Sequence, residues 1–355
     1  MATSSQEIQG GNFHFRHNNF DFLRFLFAFV VFLVHSHALS GADALSVLSE
    51  SLSSEIAVKS FFVVSGFLIF MSYDNSRDAR SYFIKRVRRI YPAYFFIIMC
   101  CAILGGIFST NTWGQYISLQ TLKYVAANLV FLNFLQPDLP GLFEGNILQA
   151  VNGALWTLKV EVMFYLFVPL AVIAFHKFGR IPILILIYAS SVVYTLVMQS
   201  YASQTGSTFY LELQRQIPGQ LTFFIAGATA YYYFDYLIKY SKWLAVVAVM
   251  AFTFQSWLPW VVIQPVALAI VIVYVACVIP PLGNFGKFGD SSYGIYIMHF
   301  PILQALIAYG IFKESPWMML LLAGVIMMIS SFLLWHFVEK KFLRKSSHYV
   351  AEQKG

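Results

Sequence analysis

The stretch Phe20-Asp-Phe-Leu-Arg24-Phe-Leu-Phe-Ala-Phe-Val-Val-Phe-Leu-Val-His35-Ser-His37-Ala-Leu39 decides the fold class. About 20 apolar residues in a row cross the hydrocarbon core of a bilayer as one helix. This stretch meets that length with few charges. Nine more follow, giving ten spans at residues 20–39, 56–73, 90–109, 154–176, 181–199, 217–235, 243–257, 260–279, 292–312 and 316–337. Composition agrees. Of 355 residues, 59% are hydrophobic and 11% charged, with 36 Phe. A soluble domain carries about 25% charged residues, so a soluble globular chain, a disordered chain and a coiled coil are excluded. The reading is an all-α polytopic membrane protein, a bundle of about ten transmembrane helices.

The net charge of +7 does not point to nucleic acid, because the cations lie in short segments between apolar spans. With the N-terminus inside, seventeen of the 23 Lys and Arg fall in inside segments. Lys123, Arg215 and Lys313 fall outside, and Arg24, Lys59 and Lys159 lie within spans. That asymmetry follows the positive-inside rule and predicts that both termini are cytoplasmic. The predicted division is a cytoplasmic tail at 1–19, a membrane domain at 20–342 and a cytoplasmic tail at 343–355. No cleavage pattern precedes the first span, which is expected to remain as an anchor. Cys100, Cys101 and Cys277 all lie inside spans, and no metal-ligand spacing exists.

One outer segment is long, residues 110–153. Long connections are usually functional or disordered. Its weakly amphipathic part, 119–135, suits either an ordered cap or a plain interfacial helix. No internal repeat is visible, which weakens an inverted-repeat transporter architecture.

Ionisable residues within spans are functional candidates by default. Arg24 and His35 are eleven residues apart, three turns plus roughly 20°, so they share one face about 16 Å apart along the axis. A guanidinium at the inner end suits a phosphate. An imidazole at the outer end suits a general base. A long, thin coenzyme A thioester fits between them. The plainer alternatives are a snorkelling Arg24 and a hydrogen-bonded packing role for His35.

The segment Lys85-Arg86-Val-Arg88-Arg89-Ile-Tyr91-Pro92 reads as an inside loop that Tyr91-Pro92 closes. Arg86 and Arg89 share a face if that loop is helical and offer an anion site. Glu161 is placed at the depth of His35, where a carboxylate would orient the imidazole. A pair with Lys159 or Lys59 is the alternative. Tyr293 and His299, on the ninth span with Pro301, are expected at the donor entrance. A polar contact at the proline kink is the alternative for His299. Ser65-Gly66 suits close helix contact, with Ser65 also a candidate acceptor contact. Asn152 and Trp156 are the other acceptor candidates.

These residues together resemble acyltransferase family 3, the membrane-bound O-acyltransferases of bacterial surface polysaccharides. The resemblance runs from about Phe20 to Phe342. It is carried in order by Arg24-x10-His35, Phe61-Phe-Val-Val-Ser-Gly-Phe-Leu-Ile69, Arg86-x-x-Arg89-Ile-x-Pro92, Asn152-Gly-Ala-Leu-Trp-Thr-Leu-Lys-Val-Glu161, Ser292-Tyr through His299-Phe-Pro301, and Val338-Glu339. It implies acyl-CoA, notably acetyl-CoA, as a cytoplasmic donor with no resident cofactor or metal. It implies transfer to a hydroxyl of a surface glycan or lipid-linked sugar beyond the outer leaflet of a bacterial cytoplasmic membrane. Catalysis is assigned to His35, as base or acyl carrier, and donor or structural roles to Arg24, Arg86 and Arg89. Lipid and further copies of the chain complete the expected partners. The competing class is a transporter or flippase without chemistry.

Overall fold

The computed structural model describes residues 18–283, 285 and 289–343. The two tails lie outside the described residues except for 18, 19 and 343, and so does Lys287. Among the described residues the fold is helical, without strands. Each of the ten apolar stretches is a helix: α1 Phe20–Ser40, α2 Ser54–Asp74, α3 Ala79–Phe108, α4 Trp156–Phe178, α5 Arg180–Thr205, α6 Ile217–Tyr232, α7 Ser241–Thr253, α8 Trp260–Cys277, α9 Ser292–Ala308 and α10 Pro316–Leu334. Seven of them, α1 to α5, α8 and α10, are long and apolar enough to cross a membrane. The chain is a multi-pass, all-α membrane protein. A 3-10 turn, Gly153–Leu155, leads into α4, and a π turn, Trp335–Glu339, extends α10.

The expected inside loop at 74–90 is mostly helix. α3 starts at Ala79 and runs 30 residues through Pro92. Asp78 caps it by accepting from the Ser81 N–H at 2.5 Å, which satisfies one free amide of the first turn. Lys and Arg are good helix formers, so the basic stretch extends the apolar helix rather than interrupting it. Pro92 removes one N–H without ending the helix. Arg86 and Arg89 therefore do lie on neighbouring positions of one helical face.

α2 and α6 cross at two reciprocal glycines. A Cβ at Gly66 would lie 1.9 Å from the Phe224 carbonyl oxygen, and one at Gly227 would lie 2.0 Å from that of Val63. Neither position admits a side chain. Small residues replace hydrophobic burial as the basis of helix contact in lipid. Ser65-Gly66 is thus a close-contact site, and Ser65 itself is half-buried.

The connection 110–153 is an ordered cap. It holds helices Trp113–Tyr116 and Leu119–Leu129 and is pinned to α3 and α9. Tyr116 donates to the Ala102 carbonyl at 2.6 Å, Tyr94 to that of Asn128 at 2.7 Å, and Phe131 stacks on Tyr94 at 4.3 Å. On α9, the buried Gln304 amide donates to the carbonyls of Leu148 and Ala150, while its Oε1 accepts from Asn146 at 2.8 Å. Leu119, Leu122, Ala126 and Val130 form an exposed, mostly apolar stripe on the helix of the cap.

Candidate active site

α1 and α9 lie side by side and meet at both ends of their shared face. At the cap end, His35 Nδ1 is 2.9 Å from His299 Nε2. His299 is wholly buried, and its Nδ1 donates to the Tyr296 carbonyl at 2.7 Å. The edge of Phe300 closes on the His35 ring, with centroids 5.9 Å apart at 86°. Gly153 makes room for Phe300, since a Cβ there would stand 2.8 Å from its ring. His35 keeps partial exposure and makes no hydrogen bond through Nε2 among the described residues. The side chain expected at the donor entrance, His299, is therefore the neighbour of His35. Depth counted from the start of α9 misplaces it, because α1 and α9 start at different levels.

Glu161 takes another place. Its Oε1 accepts from the Tyr165 hydroxyl at 2.6 Å, and among the described residues no hydrogen bond joins it to His35, Lys59 or Lys159. Thr157, one turn earlier on α4, meets the Tyr296 hydroxyl at 2.8 Å. Tyr296 is itself one turn from His299. Glu161 thus starts about 10 Å along the helix axes from the histidine pair, by helix rise. Lys59 pairs instead with Glu55 and with Gln264 at 3.0 Å, and Lys159 stands over the Phe134 ring at 4.5 Å.

The opposite end of the shared face is an ion cluster. Asp290, two residues before α9, receives Arg24 Nη1 at 2.5 Å and an Nη of Arg89. Its other oxygen accepts from the Ser292 hydroxyl and from the Ser292 N–H at 3.0 Å. Arg89 also reaches Glu339 Oε2 at 3.2 Å. Burial alone would raise the Asp290 carboxyl. The two guanidinium groups and Ser292 outweigh it and hold the group at about 2. α1, α3 and the approach to α9 are tied at the Asp290 carboxylate, and Arg89 links the end of α10 to them through Glu339.

Two of the expected phosphate ligands, Arg24 and Arg89, therefore already have carboxylate partners. Arg86 differs. One of its Nη groups donates to Ser72 Oγ at 3.0 Å, its guanidinium lies 5.8 Å from the Tyr165 ring centroid, and its buried Nε has no partner among the described residues. Tyr293 is buried beside Arg89 and donates to the Ile90 carbonyl at 3.0 Å. Next to the cluster, Phe25, Phe285, Gly289, Ser291, Met328, Phe332 and Trp335 line an apolar pocket of about 450 Å³.

Of the acceptor candidates, Asn152 is buried. It caps the turn before α4 through the Ala154 N–H at 3.3 Å and donates to the Ile297 carbonyl at 2.8 Å, so its amide joins α4 to α9. Trp156 is half-buried at the first position of α4. Asp290 sits in a connection, where a carboxylate does not stand out as one inside an apolar span does. A signal existed: it is the one acidic residue of 278–291, immediately before an apolar stretch.

Residues 17–336 match an acyltransferase domain family. The chain belongs to acyltransferase family 3. The resemblance carried by the ordered motifs is thereby established, and the enzyme reading prevails over the transporter: the protein is an acyltransferase. An O-acetyl transferase of Shigella phage Sf6 is 28% identical over 93% of this chain and 97% of its own length. Nodulation protein 10 of Rhizobium leguminosarum bv. viciae is 26% identical over 99% of both chains. No solved structure matches the chain.

Proposed function

We propose that this family 3 acyltransferase is a transmembrane O-acetyltransferase of the bacterial cytoplasmic membrane. It takes acetyl from cytoplasmic acetyl-CoA and esterifies a hydroxyl of a surface polysaccharide or lipid-linked sugar at the outer face. Its membrane domain spans residues 20–342 as ten crossings with both tails inside. The observation that carries the reading is the shared face of α1 and α9, with an arginine-containing ion cluster at one end and a partly exposed imidazole at the other, Arg24 and His35 lying eleven residues apart on α1. The name of the phage relative supports acetyl as the group transferred.

In this reading the donor enters at the Arg24–Arg89 end, where the apolar pocket adjoins the cluster. Arg86, with a hydrogen-bond donor to spare, takes a phosphate oxygen. Arg24 and Arg89 reach phosphate only by exchanging it for Asp290 or Glu339, so their first role is to hold the entrance together. The pantetheine arm follows α1 to His35. There His35 removes the proton of the acceptor hydroxyl as its oxygen attacks the thioester carbonyl. The cap 110–153, with Trp156 at its edge, shapes the acceptor side. Glu161, bonded to Tyr165, takes no part in the proton transfer.

Purified protein in liposomes, given acetyl-labelled acetyl-CoA and lipid-linked oligosaccharides extracted from bacterial membranes, tests this. His35→Ala should abolish labelled product while the protein keeps its elution volume and melting temperature. A folded His35→Ala protein with full transfer would overturn the assignment. Arg86→Ala should raise the KM for acetyl-CoA by about tenfold or more, as expected for loss of a charged hydrogen bond. An unchanged KM would move the phosphate site elsewhere.

A further inference from the structure

The hydrogen bonds around His35 fix which of its nitrogens reacts. The Tyr296 oxygen, 2.7 Å from His299 Nδ1, can only accept, so Nδ1 of His299 carries a hydrogen. A buried imidazole without a carboxylate partner is held neutral, since burying an unpaired charge is costly. No carboxylate contacts His299 among the described residues, and the residue is 0% exposed. Its Nε2 therefore bears a lone pair. That lone pair faces His35 Nδ1 at 2.9 Å, so Nδ1 of His35 must donate. In neutral His35 the remaining nitrogen, Nε2, is then unprotonated.

We infer that His299 is the positioning residue of the reaction: with the Tyr296 carbonyl behind it, it locks His35 in the tautomer whose Nε2 is the base. This rests on the reading of His35 given above. His35 Nε2 takes the hydroxyl proton while the acceptor oxygen forms its bond to the acetyl carbon. The carbon–sulfur bond breaks, and the leaving coenzyme A thiolate takes the proton back from Nε2. An alcohol and a thioester become an ester and a thiol, and His35 is restored. Throughout, Nδ1–H stays on His299. A neutral acceptor behind His35 has a consequence that a carboxylate would not have. It orients the ring without strongly favouring the imidazolium, so the proton returns readily to sulfur. It also accounts for the absence of Glu161 from the pair.

Three variants separate positioning from packing. In His299→Gln, the amide oxygen reaches the place of Nε2 and still accepts from His35. In His299→Asn, the shorter amide stands in for Nδ1 and leaves His35 without an acceptor. His299→Phe keeps a ring and removes both contacts. With acetyl-CoA and the same lipid-linked oligosaccharides in liposomes, kcat should fall by about 10²–10⁴-fold in the Asn and Phe variants, the scale seen when a catalytic imidazole loses its orienting partner. The KM for acetyl-CoA should stay within about threefold, because the group acts only through the transition state. His299→Gln should keep kcat within about tenfold of the parent, rescued by its single acceptor. Equal impairment of the Gln and Asn variants, or a folded Asn or Phe variant with the parent kcat, would overturn the inference. If the Phe variant does not fold, the Gln and Asn pair decides alone. The two readings fail separately. An active His35→Ala protein removes the base itself, whereas an inactive His35→Ala with a fully active His299→Asn removes only the relay.

Discussion

Asp290 joins two arginines from different helices and is itself almost wholly buried. Removing one partner of such a cluster is worse than never building it, because the remaining charges stay out of water. Asp290→Asn should therefore destabilise the protein by about 3–5 kcal/mol, read as a lower melting temperature and denaturant midpoint in detergent. An Asn variant as stable as the parent would mean that the cluster adds nothing. The pH dependence has a definite sign. The carboxyl sits at about 2 in the folded protein, below its ordinary value of 3.8. Its contribution is complete above about pH 4 and is lost as pH falls through the folded value near 2. The parent should lose stability over that window more steeply than Asp290→Asn. His35 and Arg24 were legible in the sequence because ionisable groups are rare inside apolar spans, and Arg86 because four cations crowd into five residues of one short segment. Asp290 was not, because a carboxylate in a connection looks like any other polar loop residue. His299 was legible as a residue but not as a partner, since the axial offset between α1 and α9 is set by the Arg24–Asp290 contact, which no spacing encodes.

At the scale of elements, what sequence pattern shows is which segments are helices, and what it leaves open is which helices touch. All ten stretches are helical, with ends that move by a few residues where capping decides. The largest change is α3, whose start at Ala79 is set by Asp78 rather than by hydropathy. Ser65-Gly66 announces a close contact, but Gly227 as its counterpart emerges only when α2 and α6 are laid together. The crossing is close, because each glycine lies under a carbonyl of the other helix. Gly227→Val puts methyl groups where there is no room for even a Cβ, so α2 and α6 must separate. The expected result is loss of the folded monodisperse peak in size-exclusion chromatography, with Gly227→Ala intermediate and destabilised by about 1–3 kcal/mol, as for other overpacked sites. A Val variant with the parent elution profile and melting temperature would show that the helices part easily. The cap behaves differently. It is fixed by hydrogen bonds from Tyr94, Tyr116 and Gln304 to backbone carbonyls, with the Phe131–Tyr94 stack beside them.

Across the whole molecule, the open question of architecture is how many of the ten helices cross. α7, with 13 residues, spans about 20 Å, short of the roughly 30 Å hydrocarbon core. Two exposed indoles argue for a crossing. Trp243 and Trp257 are 76% and 87% exposed near opposite ends of α7 and its following turn. Tryptophan at that exposure belongs at a membrane–water boundary, and one at each end marks two boundaries. A short helix reaches both when the bilayer thins locally or the flanking turns descend into it. The Lys and Arg asymmetry requires that α7 and α8 cross together or not at all, since the turn between them carries no Lys or Arg. Single cysteines in a background lacking Cys100, Cys101 and Cys277, probed with an impermeant maleimide on intact spheroplasts, test this directly. Ser256→Cys and Asn146→Cys should be labelled without permeabilisation. Ser76→Cys and Asp235→Cys should be labelled only after it. If Ser256→Cys behaves like Ser76→Cys while Asn146→Cys remains accessible, α7 and α8 form a hairpin on the inner side and the crossings fall to eight. The shared face of α1 and α9 would survive that outcome, because α1 to α6 and α9 to α10 keep their alternation. If Asn146→Cys is shielded as well, His35 no longer faces the outside, and transfer to an outer acceptor is lost with it.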